Sequence, residues 1–198
     1  MTKRIVTGGL AAGVAMFIWG FVSHVVIGLG DAAIKKIPNE EQVLTVLQAN
    51  VKEPGFYFYP GMHSLPSASK EQKAAAEKLW NEKYLAGPRG ILIYHPDGEQ
   101  AMSPKQLLSQ LAAEILGALV AAFILAQADG VRCYAGRVGL VTLLGLLPFL
   151  MVGFPHWNWY GFPTAFTLFE SADNLIGLFI AGLVLAAIVK PAAPAVAA

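Results

Sequence analysis

Four long apolar stretches dominate the pattern of hydrophobic and polar positions along the chain. They cover residues 5–29, 104–128, 138–154 and 164–189. A bilayer core about 30 Å thick needs roughly 20 apolar residues in helical conformation to cross it. Backbone groups in lipid must be hydrogen-bonded within a helix or a closed barrel, and the strand-like alternation of a barrel is absent. Each stretch therefore predicts a transmembrane helix.

Residues near the ends of these stretches support the predicted boundaries. The run Ser103-Pro104-Lys105-Gln106 predicts an N-cap, a proline in the first helical position and a glutamine that closes a capping box. Pro148 lies inside the third stretch, and we expect it to kink that helix because proline lacks a backbone N–H. The first stretch is about twice as long as the usual apolar core of a signal peptide, so we expect an uncleaved anchor.

The segment between the first two spans, residues 30–103, has a pattern of its own. Residues 38–41 predict a helix start, and Ser69 predicts the N-cap of a second helix that ends near Leu85. Residues 56–59 and 91–94 are β-prone and aromatic or aliphatic, which predicts two strands that pair. The second helix offers four residues for packing: Ala74, Leu79, Trp80 and Tyr84.

The predicted fold class is an all-α membrane protein. Four transmembrane helices form a bundle, and a small extracytoplasmic α/β cap lies between helices 1 and 2. The whole chain, residues 1–198, is one membrane domain, and the cap is an insertion over residues 30–103.

Composition excludes several classes of protein. Hydrophobic residues make up 56% of the 198 positions and charged residues 14%, against about 25% charged in ordinary soluble domains. Mean hydropathy is +0.54, so a disordered chain is excluded. A net charge of +1 leaves no basic surface for nucleic acid, and a single cysteine excludes an internal disulfide or a cysteine zinc cluster.

Charge in the short flanks of the spans predicts orientation, because lysine and arginine stay on the cytoplasmic side. The short loop at residues 155–163 carries no charge. The basic flanking residues share the other side of the predicted topology: Lys3, Arg4, Arg132, Arg137 and Lys190. We therefore expect both termini to be cytoplasmic and residues 30–103 to be extracytoplasmic.

Polar residues inside the spans are the strongest candidates for function, because an ionisable group in lipid costs a few kcal/mol. At 1.5 Å per residue they lie roughly 9–16 Å from the outer ends of the spans, in one layer. In each helix the polar group continues a row of small residues, which indicates an inward face. The predicted cluster consists of His24, Glu114, Glu170, Asp173 and Asn174. The supporting rows are Gly9, Gly13 and Gly20 in the first span, Gln106, Gln110, Gly117 and Ala121 in the second, and Gly177 and Ala181 in the fourth.

Three interpretations of this layer remain open. In the first, the carboxyls form hydrogen bonds that fix helix register. In the second, His24, Glu114, Glu170 and Asp173 hold zinc, iron or manganese, although the usual Glu-xx-His pair of bundle metal sites is missing. In the third, the layer is a proton or cation path, or a pocket for a polar lipid or quinone headgroup. No cofactor is predicted beyond the metal of the second interpretation.

An aromatic run lies at the outer end of the third span. It contains His156, Trp157, Trp159 and Tyr160. Tryptophan and tyrosine anchor helices at the headgroup level, so the run predicts an interfacial belt. The alternative is a lid over the polar layer, with His156 taking part.

Three runs resemble segments of uncharacterised bacterial four-span inner-membrane proteins. They are residues 19–24 (WGFVSH), 53–61 (EPGFYFYPG) and 157–163 (WNWYGFP). The resemblance implies a multi-pass location in the bacterial inner membrane. It implies no activity and no functional residues.

We expect an integral membrane protein that acts as a non-enzymatic accessory or assembly subunit, with the lipid bilayer and other membrane subunits as its partners. The alternative is a small membrane enzyme, or a protein that handles protons, cations or lipid headgroups through the carboxylate–histidine cluster. Soluble catalytic signatures such as GxSxG, a Walker loop or CxxC are absent. Whether the chain is an enzyme is therefore left open.

Overall fold

A computed structural model describes residues 2–30, 33–61 and 66–191. The chain is mostly helical and divides into two compact units. Unit 1 contains Met1–Lys35 and Ala101–Ala198, and unit 2 contains Lys36–Gln100. In chain order, the helices are α1 (Thr2–Phe21), α2 (Glu40–Asn50), α3 (Lys70–Ala86), α4 (Pro104–Gln127), α5 (Tyr134–Leu144), α6 (Leu146–Pro148), α7 (Phe154–Tyr160) and α8 (Thr164–Ile188). Two strands, β1 (Gly55–Tyr59) and β2 (Gly90–Tyr94), lie in unit 2, and two π-helical turns, π1 (Val22–Val26) and π2 (Phe149–Gly153), lie in unit 1.

Within the described residues, four helical segments are long and apolar enough to cross a membrane. They are Thr2–Val26, Pro104–Gln127, Tyr134–Tyr160 and Thr164–Ile188. These segments confirm four long apolar helices at the positions predicted from the sequence and support a multi-pass membrane protein. The capping box predicted at the start of the second span is also present, because the Ser103 hydroxyl accepts the Gln106 N–H and the Gln106 side chain accepts the Ser103 N–H.

The third span is longer than predicted. We expected residues 138–154, but helical structure runs from Tyr134 to Tyr160. Pro155 does not end it, because it lies in the first turn of α7, where no backbone N–H is needed. Regular α-helix is broken instead near Gly145, which is where the missing N–H of Pro148 leaves a carbonyl without its usual partner.

The first and second spans meet through glycines. A Cβ on Gly9 would lie 2.5 Å from the Leu119 side chain, and one on Gly13 would lie 2.5 Å from the Ile115 Cα. Only glycine allows the two backbones to approach so closely, as the predicted small-xxx-small row requires. A Cβ on Gly20, on the same predicted row, would meet no atom within 4 Å. The close contact between α1 and α4 therefore includes Gly9 and Gly13 but does not extend to Gly20.

Arg137 is the largest fully buried side chain in the described part of unit 1, with 1% of its surface exposed. Its guanidinium donates hydrogen bonds to the carbonyls of Val131 (3.0 Å), Leu125 (3.3 Å) and Val189 (2.6 Å). Leu125 lies in the last turn of α4 and Val189 follows α8. One side chain thus joins the C-terminal ends of two spans, where the last backbone carbonyls lack the partners they would have within a helix. The Leu125 carbonyl also accepts the N–H of Ala128 at 3.3 Å.

The second helix of unit 2, α3, begins at the predicted N-cap residue, Ser69. The Ser69 hydroxyl accepts the N–H of Gln72, and the Gln72 side chain accepts the N–H of Ser69, so α3 has a full capping box. The same hydroxyl donates to the Glu71 carboxylate at 2.7 Å. This hydrogen bond stabilises the charged carboxylate and lowers the pKa of Glu71.

The two strands of unit 2 pair as predicted. They are antiparallel, with Gly55 opposite Tyr94 and Tyr59 opposite Gly90. Trp80 of α3 donates to the Pro60 carbonyl at 2.9 Å, and its ring lies 4.9 Å from that of Tyr84. The packing expected of α3 is therefore made by its aromatic residues. The other two residues expected to pack, Ala74 and Leu79, are exposed.

Candidate functional site

The N-terminal half of α8 carries polar side chains on two faces. Thr167, Glu170, Ser171 and Asn174 are spaced at three, four and seven residues, so they share one face of a helix. This face points toward π2 and α7, because all four residues line a cavity with residues of those elements. Asp173 lies on a second face, where it meets the first span.

The cavity has a volume of about 210 Å³. Four polar residues of α8 form one part of its wall, and the Glu170 carboxyl is the only acidic group in its lining. The remaining wall is largely aromatic or aliphatic and includes Phe149, Phe162 and Phe166, while His156 contributes an imidazole. The site thus combines one carboxyl, neutral polar groups and phenyl rings in a small volume.

Local backbone structure shapes both sides of this cavity. π2 supplies Phe149 and Gly153 to the wall, and π-helical turns are frequent at functional sites. At the end of α7, Gly161 has φ of 73°, a left-handed conformation that glycine adopts without strain. The N–H groups of Gly161 and Phe162 both donate to the His156 carbonyl. The chain therefore turns back and stacks the Phe162 ring on the His156 imidazole, with centroids 4.9 Å apart.

Hydrogen bonds around Glu170 leave its carboxyl group available. The Asn174 amide donates to the backbone carbonyl of Glu170 at 2.8 Å, and the Ser171 hydroxyl donates to the Thr167 carbonyl at 2.5 Å. Neither neighbour binds the Glu170 carboxylate. Among the described residues, no hydrogen bond or ion pair engages its side-chain oxygens.

The rest of the aromatic run surrounds this cavity without entering its lining. The Trp157 indole donates to the Thr164 hydroxyl at 3.0 Å and so ties α7 to the start of α8. The Tyr160 ring lies edge-on to His156 at 5.8 Å, and Trp159 is exposed. His156 is thus the member of the predicted run that reaches the cavity.

A second polar contact joins the first and fourth spans. His24 Nε2 lies 3.4 Å from Asp173 Oδ2, and π1 carries the histidine. The other carboxylate oxygen of Asp173 and the indole nitrogen of Trp19 are buried and have no hydrogen-bond partner among the described residues. The Trp19 ring packs beside Gly177, one turn along α8 from Asp173. This contact is separate from the cavity.

Glu114 belongs neither to the lining of the cavity nor to the His24–Asp173 contact. Its carboxylate accepts a hydrogen bond from Gln110 on its own helix at 2.8 Å. In α4 the fully buried positions are Ala118, Ala122 and Leu125. On the predicted inward row Ala121 is also buried, whereas a Cβ on Gly117 would meet no atom within 4 Å. The single polar layer expected from the sequence is therefore divided into three places. They are the cavity with Glu170, Asn174 and His156, the His24–Asp173 contact, and the Gln110–Glu114 pair.

The candidate metal ligands are separated in the same way. Within residues 2–30, 33–61 and 66–191, no group of three or more histidine, cysteine, aspartate or glutamate side chains is arranged to hold a metal ion. The side chains of His24 and Asp173 are adjacent. Glu114 accepts a hydrogen bond from Gln110, and Glu170 lines the cavity. The four candidates thus do not form one donor set.

Sequence reasoning missed several residues of the site. Thr167 and Ser171 were detectable, because they extend Glu170 and Asn174 into a regular helical face. Phe149, Phe162 and Phe166 had no signal, since aromatic residues in apolar spans are ordinary packing residues. Arg137 was interpreted only as a flanking charge, although it is buried.

A second concave surface lies between α5 and α8. It is an open, almost entirely apolar groove of about 680 Å³. Gly139 lies in its floor, and a Cβ there would meet no atom within 4 Å. At one end, the Tyr134 hydroxyl donates to the Leu183 carbonyl at 2.9 Å.

Comparison with models of known protein families, with curated proteins and with solved structures finds no match to this chain.

Proposed function

We propose that this protein binds the polar end of a small amphipathic molecule from the bilayer, in the cavity between π2, α7 and α8. The observation that carries the proposal is the meeting of Glu170, His156 and Asn174 with three phenyl rings in one cavity. Binding sites for small molecules are mostly apolar, with a few polar groups that fix orientation. This lining has that composition.

The volume of the cavity suits a headgroup and not a whole lipid. An apolar cavity of about 150 Å³ holds one benzene molecule. At about 210 Å³, this cavity has room for one ring or one branched polar group. The apolar remainder of the bound molecule would lie outside it.

The position of Glu170 also favours binding. It is the seventh residue of α8, about 9 Å along the span at 1.5 Å per residue. Ionisable groups at such depth usually face a cavity or a partner, because exposure to lipid costs a few kcal/mol. Since no described side chain satisfies this carboxyl, a bound group is its natural partner.

The setting we propose is the bacterial inner (plasma) membrane. The spans form a four-helix bundle, both termini are cytoplasmic, and residues 30–103 form an extracytoplasmic cap. Basic residues flank the spans at the termini and in the loop between α4 and α5. In this topology the cavity lies in the outer half of the bilayer.

Filling the cavity should expel the bound molecule. A Cβ on Gly153 would make ordinary contacts with Phe149 (3.5 Å), Thr167 (3.7 Å) and Ser171 (3.8 Å), so Gly153→Leu fits the backbone and projects its side chain into the cavity. We expect wild-type protein, purified with native lipids and transferred to mild detergent, to retain about one small amphipathic molecule per chain. Gly153→Leu should retain less than about a tenth as much. Native mass spectrometry measures the ratio.

Gly117→Leu is the matched control for this experiment. It makes the same substitution in another span, at a position where a Cβ would meet no atom within 4 Å. It should retain the bound molecule as wild type does. If a folded, monodisperse Gly153→Leu protein keeps the same amount as the control, the proposed function is wrong.

The accessory or assembly role stays the second candidate. The open groove between α5 and α8 favours it, because an exposed glycine on a spanning helix permits the close approach of a partner's transmembrane helix. This role needs no chemistry in the cavity, so it is independent of the first proposal.

A further inference from the structure

The lining chemistry identifies the class of molecule that the cavity takes. We infer that it binds an organic ammonium group, with the Glu170 carboxylate as counter-ion and phenyl rings around the cation. This inference rests on the proposed function, because it names the ligand class for the same cavity.

Charge is the first reason. Glu170 carries the only carboxyl group in the lining, and no lysine or arginine lines the cavity. The other polar groups in the lining are hydroxyls, an amide and an imidazole. A carboxylate in a span without an internal partner is stabilised most by a cation placed beside it, because opposite charges attract strongly where water is excluded. An anionic group would meet repulsion at the same place.

The rings are the second reason. Phe162 and Phe166 lie 5.7 Å apart between centroids, and both line the cavity with Phe149. The face of an aromatic ring attracts a cation within about 6 Å of its centroid, and alkylated ammonium groups are recognised in this way. The rings also pack against the methyl or methylene groups that surround the charge.

The lining selects an organic cation over a metal ion. Calcium takes 6–8 oxygen ligands and magnesium prefers six, many of them carboxylates or water. The cavity offers one carboxylate, and no cluster of metal-ligating side chains exists in the part of the chain that the structure describes. A weakly hydrated organic ammonium needs no such ligand set.

Choline and its neutral isostere provide a direct test. Choline and 3,3-dimethylbutan-1-ol have the same shape, but a carbon replaces the charged nitrogen in the alcohol. We use the full chain in nanodiscs of phosphatidylglycerol, which contains no ammonium group, and follow thermal unfolding by tryptophan fluorescence. Choline chloride should raise Tm in a saturable manner, whereas the alcohol and sodium chloride at equal concentration should not.

Two variants identify the residues that bind. Glu170→Gln keeps the shape of the side chain and removes its charge, so it should weaken choline binding on the order of tenfold or more. Phe166→Leu keeps an apolar side chain and removes a ring face, so it should weaken binding by about two- to tenfold. Glu114→Gln makes the same chemical change outside the cavity and should bind choline as wild type does.

Adding phosphatidylcholine to the nanodiscs distinguishes the source of the ammonium group. If a lipid headgroup occupies the cavity, phosphatidylcholine raises Tm and abolishes the effect of free choline. If a free amine is the ligand, the effect of choline is unchanged by the lipid. Either result supports the ammonium class.

Two outcomes overturn the inference. One is equal stabilisation by choline and its neutral isostere, and the other is undiminished choline binding by folded Glu170→Gln. If Gly153→Leu still expels the native molecule in either case, the cavity binds an uncharged polar group, and only the ligand class is wrong. If Gly153→Leu also has no effect, the proposed function fails with it.

Discussion

The buried guanidinium of Arg137 shows how one side chain connects separate parts of this protein. Among the described residues no carboxylate lies within hydrogen-bond distance of it, and its partners are three backbone carbonyls from the loop and the ends of α4 and α8. The C-terminal end of a helix carries a partial negative charge of about half an electron, so a cation there is stabilised. Two helix ends thus offset part of the cost of burying this charge, while its Nε atom has no hydrogen-bond partner among the described residues.

Removing the Arg137 guanidinium should destabilise the fold. Arg137→Met keeps much of the side-chain volume but leaves the carbonyls of Leu125, Val131 and Val189 without this donor. Because an unsatisfied buried polar group costs about 1–3 kcal/mol, we expect a clear decrease in Tm in detergent. Arg132→Met is the matched control, since Arg132 is exposed five residues earlier. Equal Tm values for the two variants would contradict this role of Arg137.

At the scale of elements, glycines determine how closely the first two spans pack. Gly9 and Gly13 meet Leu119 and Ile115, so α1 and α4 run antiparallel with their backbones in contact. Toward the π1 end of α1, a Cβ on Gly20 would meet no atom within 4 Å. The same face of α1 thus packs tightly at one end and leaves space at the other, near the turn that carries His24.

Gly13→Ala and Gly20→Ala should change stability in opposite directions. Alanine is favoured over glycine in a helix by about 1 kcal/mol, so helix propensity alone predicts stabilisation at both positions. A Cβ at Gly13 would lie 2.5 Å from the Ile115 Cα, a backbone atom that cannot move alone. Separating the two helices should cost about 1–3 kcal/mol, so Gly13→Ala should lower Tm. Thermal unfolding of both variants in detergent tests this, and a Tm for Gly13→Ala at or above that of Gly20→Ala would be inconsistent with the close contact.

At the scale of the whole molecule, contacts within unit 1 bring several chain ends together. Gly8, near the start of α1, lies beside Val189 at the end of α8. Arg137 joins Val189 to the end of α4. Arg132 and Lys190 are close in sequence to these contacts, so the basic residues that predicted orientation share one end of the spans. This common end is consistent with the topology proposed above.

Labelling of the single cysteine, Cys133, tests that topology. Cys133 is exposed in the segment before α5. In intact cells, a membrane-impermeant maleimide should label it only after permeabilisation, because we expect that side to be cytoplasmic. With Cys133→Ser, which keeps an N-cap residue for α5, an introduced Gln100→Cys should be labelled in intact cells. Labelling of Cys133 in intact cells would reverse the proposed orientation.

Local features of the fold were predictable because they depend on neighbouring residues. The capping boxes at Ser69 and Ser103 use groups three residues apart, and both were expected. The strands at residues 55–59 and 90–94 followed from β-prone runs bounded by glycine and proline. The C-terminal end of the third span was not predicted. A helix accepts Pro155 only in a first turn, and the sequence did not show that π2 ends and α7 begins just before it.

The candidate site was predictable only in part. The sequence identified Glu170, Asn174 and His156 as unusual polar groups in or beside spans, but it placed Glu114 with them. Helix periodicity indicates which residues share a face of one helix and does not indicate which helix that face meets. α8 turns one polar face toward π2 and another toward π1, so neighbouring residues on it belong to different sites.

The sequence by itself determined that the chain has four helices long and apolar enough to cross a membrane, and a small α/β segment between the first two of them. Hydropathy and helix-capping chemistry act over a few neighbouring residues, so they can be interpreted without coordinates. Only the tertiary structure decided that His156 and Glu170 line one cavity, that His24 meets Asp173, and that Arg137 joins two helix ends. Those contacts depend on the rotation and approach of whole helices, which side chains from several spans determine together.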